Sequence, residues 1–576
     1  MKILFKNLKQ TWKYAKGQRL KIFMYAFACI TMAIIRIIIP ILSAKLIVEI
    51  TDNAFEQIFY LALVILIINA IASLFDLIAS YCSNYIYQEI SKKLQSDLGK
   101  QILKLENKSL DKNSAGVFIQ RINSDTKDIS QILNFLSSNI SCIIEDIGIY
   151  LSILYINKYM FLYYVLVAII LALYKSYQSK VYAKKEKVVR EEEENVTGLT
   201  SEIVRGARDI KMLNAEESFM TILDKKIYSL NKIRYKMEKT NDNYVFGGSL
   251  LSDCLKFILV LLLIYFLKNN TLEAAMALVI YNYSDRFSYL AYDLDNLMNS
   301  IRKFNLSSKR VFSVITSKEF TKEKFGKKHL DKVEGNFEFK NVSFGYDDKL
   351  ILNNISFKIK ANETVAFVGK SGAGKSTIFS LLDKMYEVNK GEILIDKINI
   401  NELDKESIRG NISIINQSPY IFNLSIKDNL KLVKEDLTEE EMINACKTAC
   451  LDEFINTLPN KYDTVVGEGG ITLSGGQKQR LAIARALVQK TEIILFDEAT
   501  SSLDNETQYE IQKAIQNMQG EYTILIIAHR LSTIINSDRI LFINNGRVEA
   551  EGNHKTLLQT NVNYKHLYES EIKQTI

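Results

Sequence analysis

Paired cysteines are missing from this sequence. Its six cysteines stand singly: Cys29, Cys82, Cys142 and Cys254 within apolar stretches, Cys446 and Cys450 four apart on an expected helix. Without a CxxC pair, neither a zinc site nor a disulfide framework has support, and the thiols read as small buried hydrophobes. A concentrated basic face is missing too. The formal charge is +7, but the lysines are spread over membrane stretches, a linker and the soluble half, which argues against a nucleic-acid partner. A signal-peptide cleavage site is also lacking. The first apolar run continues past Arg36 and Pro40 to Val48 with no small-residue break, so it is expected to be a membrane helix.

What is present divides the chain. A length of 576 residues exceeds one hydrophobic core. Long apolar stretches alternate with charged helical ones up to about Ile315, and from about Val333 the sequence reads as soluble α/β with glycine-rich turns. The expected division is a membrane domain over 1–315, a charged linker over 316–333 and a soluble domain over 334–576. Crossing a bilayer takes about 20 apolar residues. Six candidate spans satisfy that: Ile22 to Val48, Ile58 to Tyr85, Leu133 to Tyr155, Met160 to Tyr177, Phe246 to Leu267 and Leu272 to Leu294. The loops after the first, third and fifth are short, whereas those after the second and fourth are long, charged and helix-favouring. Lys2, Lys6, Lys9, Lys13, Lys16, Arg19 and Lys21 precede the first span, which places the amino terminus, the long loops and the soluble half in the cytoplasm.

The expected spans are unusually polar. Asn69, Ser73, Asp76, Ser80, Ser83 and Tyr87 recur at steps of three and four, which puts them on one helical face of the second span. Tyr281, Asp285, Ser288, Tyr292 and Asn296 repeat the arrangement in the sixth. Ser138, Ser141, Glu145 and Ser152 lie in the third, Arg36 in the first, and Asp253 and Lys256 one turn apart in the fifth. A charge at the bilayer centre costs about 2.5 to 3.5 kcal/mol on the mildest scale, so such faces avoid lipid. They either line a water-filled cavity or hold helices together. Arg36, Asp76, Glu145, Tyr281, Asp285 and Tyr292 are the candidate cavity residues, and Asp253 with Lys256 is a candidate pair within one helix.

In the soluble half, the apolar run Thr364 to Val368 leads into Gly369, Lys370, Ser371, Gly372, Ala373, Gly374, Lys375, Ser376 and Thr377, the pattern GxxxxGK[ST] after a strand. Such a loop wraps backbone N–H groups around phosphates at a helix start. Lys375 can reach the β- and γ-phosphates, and the Ser376 hydroxyl can ligate Mg²⁺. Farther on, the strand-like run Ile493 to Phe496 ends in Asp497, placed to hold the metal, and Glu498, placed to polarise an attacking water. Between them stand Leu473, Ser474, Gly475, Gly476 and Gln477 before a helical run, in isolation an anion-binding nest or a helix start.

In this order, the phosphate loop, the LSGGQ segment and the strand-end acids resemble ATP-binding cassette proteins, and the six-span half resembles their exporter-type membrane domain. The resemblance implies an α-helical six-span domain fused to an α/β nucleotide-binding domain with an antiparallel β subdomain and a helical subdomain. It implies that LSGGQ caps the γ-phosphate of ATP held by a partner's phosphate loop, so that one chain alone cannot complete a site. Tyr346 of FGYDD then stacks on adenine, Gln417 of IINQSPYIF contacts Mg²⁺ and the attacking water, Asp504 of SSLD crosses the dimer interface, and His529 of IIAHRLST touches the γ-phosphate. Phe496 before the aspartate and Asn416 before the glutamine are mild departures that remove no ligand. The segments around Asp111 to Gly116 and Val204 to Asn214 are similar in position to the short cytosolic helices that such exporters send to their cassettes.

The expected function is ATP-driven transport in a bacterial cell membrane by a dimer, with an identical partner favoured because Glu498 and LSGGQ are both intact. The favoured cargo is a polar, peptidic or amphipathic molecule, and a multidrug or lipid exporter is the nearest alternative. An importer on the same fold and a ligand-sensing membrane ATPase are further ones.

Overall fold

The strand-like runs TVAFV and TILII of the soluble half are buried at every position, a pattern that requires cover on both faces of a sheet. The computed structural model of the chain describes residues 2–51, 55–316, 319–346, 349–467, 469–497, 505–527 and 535–575. Among these, two compact units form: one of Met1–Leu103 with Ser114–Phe320, the other of Lys104–Asn113 with Thr321–Ile576.

In the second unit, β1 (Phe337–Tyr346), β2 (Lys349–Ile359), β4 (Lys390–Ile395) and β5 (Ile398–Asn399) form an antiparallel sheet in the order β2-β1-β4-β5. A six-stranded sheet takes β3 (Thr364–Val368), β6 (Ile412–Ile415), β9 (Ile493–Asp497), β10 (Thr523–Ile527), β11 (Arg539–Asn544) and β12 (Arg547–Gly552) in the order β12-β11-β3-β10-β9-β6. The short strands β7 (Leu424–Ser425) and β8 (Val465–Val466) pair apart from both. Side chains alternate across the six-stranded sheet, as the strand period of two requires. Val365 and Phe367 enter a core shared with the antiparallel sheet, whereas Ala366 and Val368 enter a second core under the helices Glu439–Thr448 and Gly475–Gln489. Both expected subdomains are thereby present. Cys446 is buried in the second core, where desolvation pushes its thiol up to about 12.

The first unit is helical: α1 (Lys2–Ala15), α2 (Arg19–Thr51), α3 (Phe55–Ile102), α5 (Ala115–Gln120), α6 (Thr126–Ile156), α7 (Lys158–Arg205), α8 (Ala207–Met212), α9 (Glu216–Lys268), α10 (Ala274–Tyr283) and α11 (Tyr289–Ile315). The helix α4 (Asn107–Asp111) belongs to the second unit. At 1.5 Å per residue, the 48 residues of α7 span about 72 Å, more than twice the roughly 30 Å of a hydrocarbon core. Asn157 alone joins α6 to α7, its side chain accepting from the N–H groups of Tyr159 and Met160 at 2.9 and 3.2 Å.

Among the described residues, four helical stretches are long and apolar enough to cross a membrane: Lys2–Ile50, Glu56–Ile102, Lys158–Arg205 and Glu216–Lys268. The third expected span lies inside the continuous α6. The sixth is split, because a 3₁₀ turn over Ser284–Ser288 separates α10 from α11. The hydrogen bonding changes at the same place. Tyr164 donates its hydroxyl to the Ile280 carbonyl, and the Ser284 N–H bonds to Tyr281 one residue nearer. The register tightens from four residues to three at that point.

Candidate nucleotide site and membrane cavity

The strand β3 delivers the chain to the phosphate loop, and α12 (Lys375–Leu382) carries it away. Gly374 caps that helix with φ near 101°, and a Cβ there would meet Leu352 Cδ2 at 2.6 Å, so glycine is required twice over. Lys375 is buried, and its ammonium donates to the carbonyls of Gly369 at 2.8 Å and Lys370 at 3.1 Å. The cation therefore sits inside the curl of the loop. Ser376 donates its hydroxyl to Asp497 Oδ1 at 3.0 Å, joining the helix start to the carboxyl end of β9. One hydroxyl oxygen and one carboxylate oxygen side by side are the hard donors that fit Mg²⁺.

Parallel pairing brings other expected residues to the same sheet edge. Ile415 of β6 pairs with Phe496, so Gln417 follows two residues beyond on the side of Asp497. The Gln417 carbonyl accepts from Gln479 Nε2 at 3.1 Å, which ties it to the helix that begins at LSGGQ. That helix starts with a reciprocal cap. Ser474 Oγ accepts from the Gln477 N–H at 3.3 Å, and Gln477 Oε1 accepts from the Ser474 N–H at 2.8 Å. Leu473 is buried beneath the turn, whereas Ser474 and Gly475 face outward. The expected residues Glu498, Asp504 and His529 lie outside the described residues.

Tyr346 ends β1 half-exposed, its ring edge-on to Phe344 at 5.0 Å and to Tyr386 at 5.2 Å. It lines a cavity of about 350 Å³ with Gly345, Tyr386, Asn389 and, from α4, Lys108 and Asp111. Tyr386 donates its hydroxyl to Asp111 Oδ2. Burial first and this carboxylate second hold the phenol well above its ordinary pKa. Behind α12, Arg409 grips Glu323 at 2.6 Å and reaches Asp383 at 3.6 Å. Burial pushes the Asp383 carboxyl up to about 7 against the pull of Arg409. Sequence reasoning missed Tyr386, Asp383 and Arg409, which carry no motif.

In the membrane unit, Arg36 of α2, Asp76 of α3 and Glu145 of α6 line one cavity of about 240 Å³, together with serines of α3 and α6. Tyr281 and Asp285 do not join it. Asp285 pairs instead with Lys256 at 2.8 Å. Lys256 thus finds its counter-charge on another element, where the sequence suggested Asp253 one turn away. The backbone of Tyr292 is helical, in α11. Beside the cavity, Arg286 reaches Asp146 at 3.0 Å and Glu145 at 3.5 Å, and Arg36 reaches Glu145 at 3.4 Å. Asp146 and Arg286 each adjoin an acid singled out from the sequence, Glu145 and Asp285. Adjacency along an apolar run was the available signal.

A transport domain and a phosphate-binding cassette in one chain define the class, and similarity to known proteins specifies it. The family profile described as "ABC transporter transmembrane region" matches residues 22–288, and that described as "ABC transporter" matches residues 352–501. An ATP-dependent lipid A-core flippase of Haemophilus influenzae (strain 86-028NP) is 33% identical over 513 residues, covering 86% of this chain and 84% of that protein. One of Francisella tularensis subsp. tularensis (strain FSC 198) is 30% identical over 525 residues, covering 88% and 84%. A solved structure, that of a bacterial Atm1-family ABC exporter with ATP bound, superposes with a TM-score of 0.79 at 25% identity over 99% of this chain and 98% of that one. The chain belongs to the ABC transporter family. It is an integral membrane protein that binds ATP and couples its hydrolysis to transport.

Proposed function

We propose that the chain works as a homodimer in a bacterial cell membrane and exports an amphipathic molecule with a polar headgroup. In this reading six spans cross the bilayer, and the amino terminus and cassette face the cytoplasm. Two cassettes enclose two ATP molecules, each between Lys375 of one copy and Ser474 of the other. Tyr346 stacks on adenine, the backbone of Gly369 to Thr377 cradles the phosphates, and Asp504 completes the contact across the dimer. Ser376, Asp497 and Gln417 would hold Mg²⁺, which when bound neutralises charge on the phosphate oxygens. Glu498 takes a proton from the attacking water and His529 contacts the γ-phosphate. Closure of the cassettes opens the membrane cavity outward, and hydrolysis resets it.

The observation that supports this cargo is the gathering of Arg36, Asp76 and Glu145 from three helices around one cavity within an apolar bundle. Charges there are costly unless they meet a polar ligand or each other. The lipid reading gains weight from the relatives named as lipid A-core flippases, because a flipped lipid is amphipathic by construction.

The test is leaflet-to-leaflet movement of a fluorescent lysophospholipid in sealed proteoliposomes. ATP-dependent movement with the wild type and none with Lys375→Ala is the expected result. ATP hydrolysis stimulated by the lipid without any movement would instead make the protein a ligand-sensing membrane ATPase.

A further inference from the structure

Arg36 and Asp76 face one cavity from neighbouring helices and do not pair with each other. Arg36 gives one guanidinium nitrogen to Glu145 at 3.4 Å, and its side chain is 56% exposed, which leaves most of its five N–H donors open. Glu145 is itself shared with Arg286. Asp76 makes no ion pair or hydrogen bond among the described residues. Two opposite charges thus line one cavity where a membrane interior makes an unmet charge expensive. Ser80 and Ser141 line the same cavity.

A purely anionic headgroup would meet Arg36 but be repelled by Asp76. A purely cationic one would meet Asp76 and leave Arg36 open. A group that carries both charges a few bonds apart answers both. Size points the same way: about 240 Å³ is small against pockets of roughly 300 to 1,000 Å³ that enclose whole drug-sized ligands. Such a cavity takes a headgroup and leaves the acyl chain in the bilayer.

We propose that this cavity selects a zwitterionic lipid headgroup, with a phosphate on Arg36 and a protonated amine on Asp76. The inference rests on the export reading above and names the class of cargo for the same cavity.

The experiment is ATPase stimulation of the full-length protein in nanodiscs by five probes. These are lysophosphatidylethanolamine, lysophosphatidic acid, dodecylamine, dodecyl maltoside and chain-free phosphoethanolamine. The zwitterionic lipid is expected to act at about tenfold lower concentration than either probe whose charge is of one sign, the worth of one hydrogen bond to a charged group. Asp76→Asn should erase its advantage over lysophosphatidic acid. Arg36→Gln should erase its advantage over dodecylamine, and Arg36→Lys should restore part of it. Because Arg36 also contacts Glu145, each variant's melting temperature is recorded, and Asp76→Asn, which breaks no pair, decides the matter alone if Arg36→Gln fails to fold. Equal stimulation by the maltoside, or an unchanged ranking in Asp76→Asn, overturns the proposal. Equal action of chain-free phosphoethanolamine overturns the lipid as its source. Lipid movement that persists without any headgroup preference sinks this inference and leaves the export reading standing, whereas loss of all movement sinks that reading itself.

Discussion

In the cassette, the polar groups of the nucleotide site sit on loops at strand ends, while in the membrane unit Arg36, Glu145, Asp146 and Arg286 sit within helical segments and pair across them. Ser376 and Asp497 are 121 residues apart in sequence, yet each ends or begins an element that a contiguous motif announces. Arg36 and Glu145, 109 apart, and Asp146 and Arg286, 140 apart, have no such flag. The reason is physical. Phosphate binding uses backbone N–H groups, which need neighbouring residues in one fixed turn. A charge in an apolar bundle needs only a counter-charge within reach, on whichever helix supplies it.

The largest expected effect breaks the cassette half of this contrast. Glu498→Gln should slow ATP hydrolysis by about two to four orders of magnitude with ATP binding retained, the usual worth of a positioned base. Phosphate release and nucleotide trapping measure the two separately, and wild-type turnover would remove Glu498 from its role.

The membrane half is broken next. Arg286→Met takes the shared cation from Glu145 and Asp146, which are 5% and 3% exposed. It should cost about 3 to 5 kcal/mol, because a buried charge is left uncompensated. Thermal unfolding in nanodiscs reads this, and adding Asp146→Leu should recover part of the loss.

Smaller effects sharpen the comparison inside the cassette. Folded Asp383 binds a proton more readily than the unfolded chain does, between its ordinary 3.8 and about 7. Stability therefore falls as pH rises through that window, by at most about 1.4 kcal/mol per pH unit. Asp383→Asn should flatten the slope in a pH series of melting temperatures. Tyr386→Phe keeps the ring against Tyr346 and loses only the donor to Asp111. It should cost about 1 kcal/mol or less and leave the KM for ATP unchanged, whereas Tyr386→Ala should raise that KM.

These outcomes bear on what could be read from residues alone. The strand Thr364–Val368 and the cap at Gly374 follow from local pattern, because period and φ are local properties. The partner of Lys256 was not legible. Helical spacing offered Asp253, while packing supplied Asp285 from the 3₁₀ turn that follows α10. Likewise Tyr386 looked like any aromatic in a helix-to-strand connection. Its role emerges only when Asp111, 275 residues away, is set against its hydroxyl.

The central claim is that the phosphate loop and LSGGQ of one chain serve different sites. Lys375→Ala and Ser474→Arg, each expected to be inactive alone, can be co-assembled and the ATPase activity of the mixture measured. A site built from two copies regains an intact Lys375 facing an intact Ser474 in the mixed dimer, so activity should return toward half of the wild-type level per mixed dimer. A mixture as inactive as its two components would contradict the account.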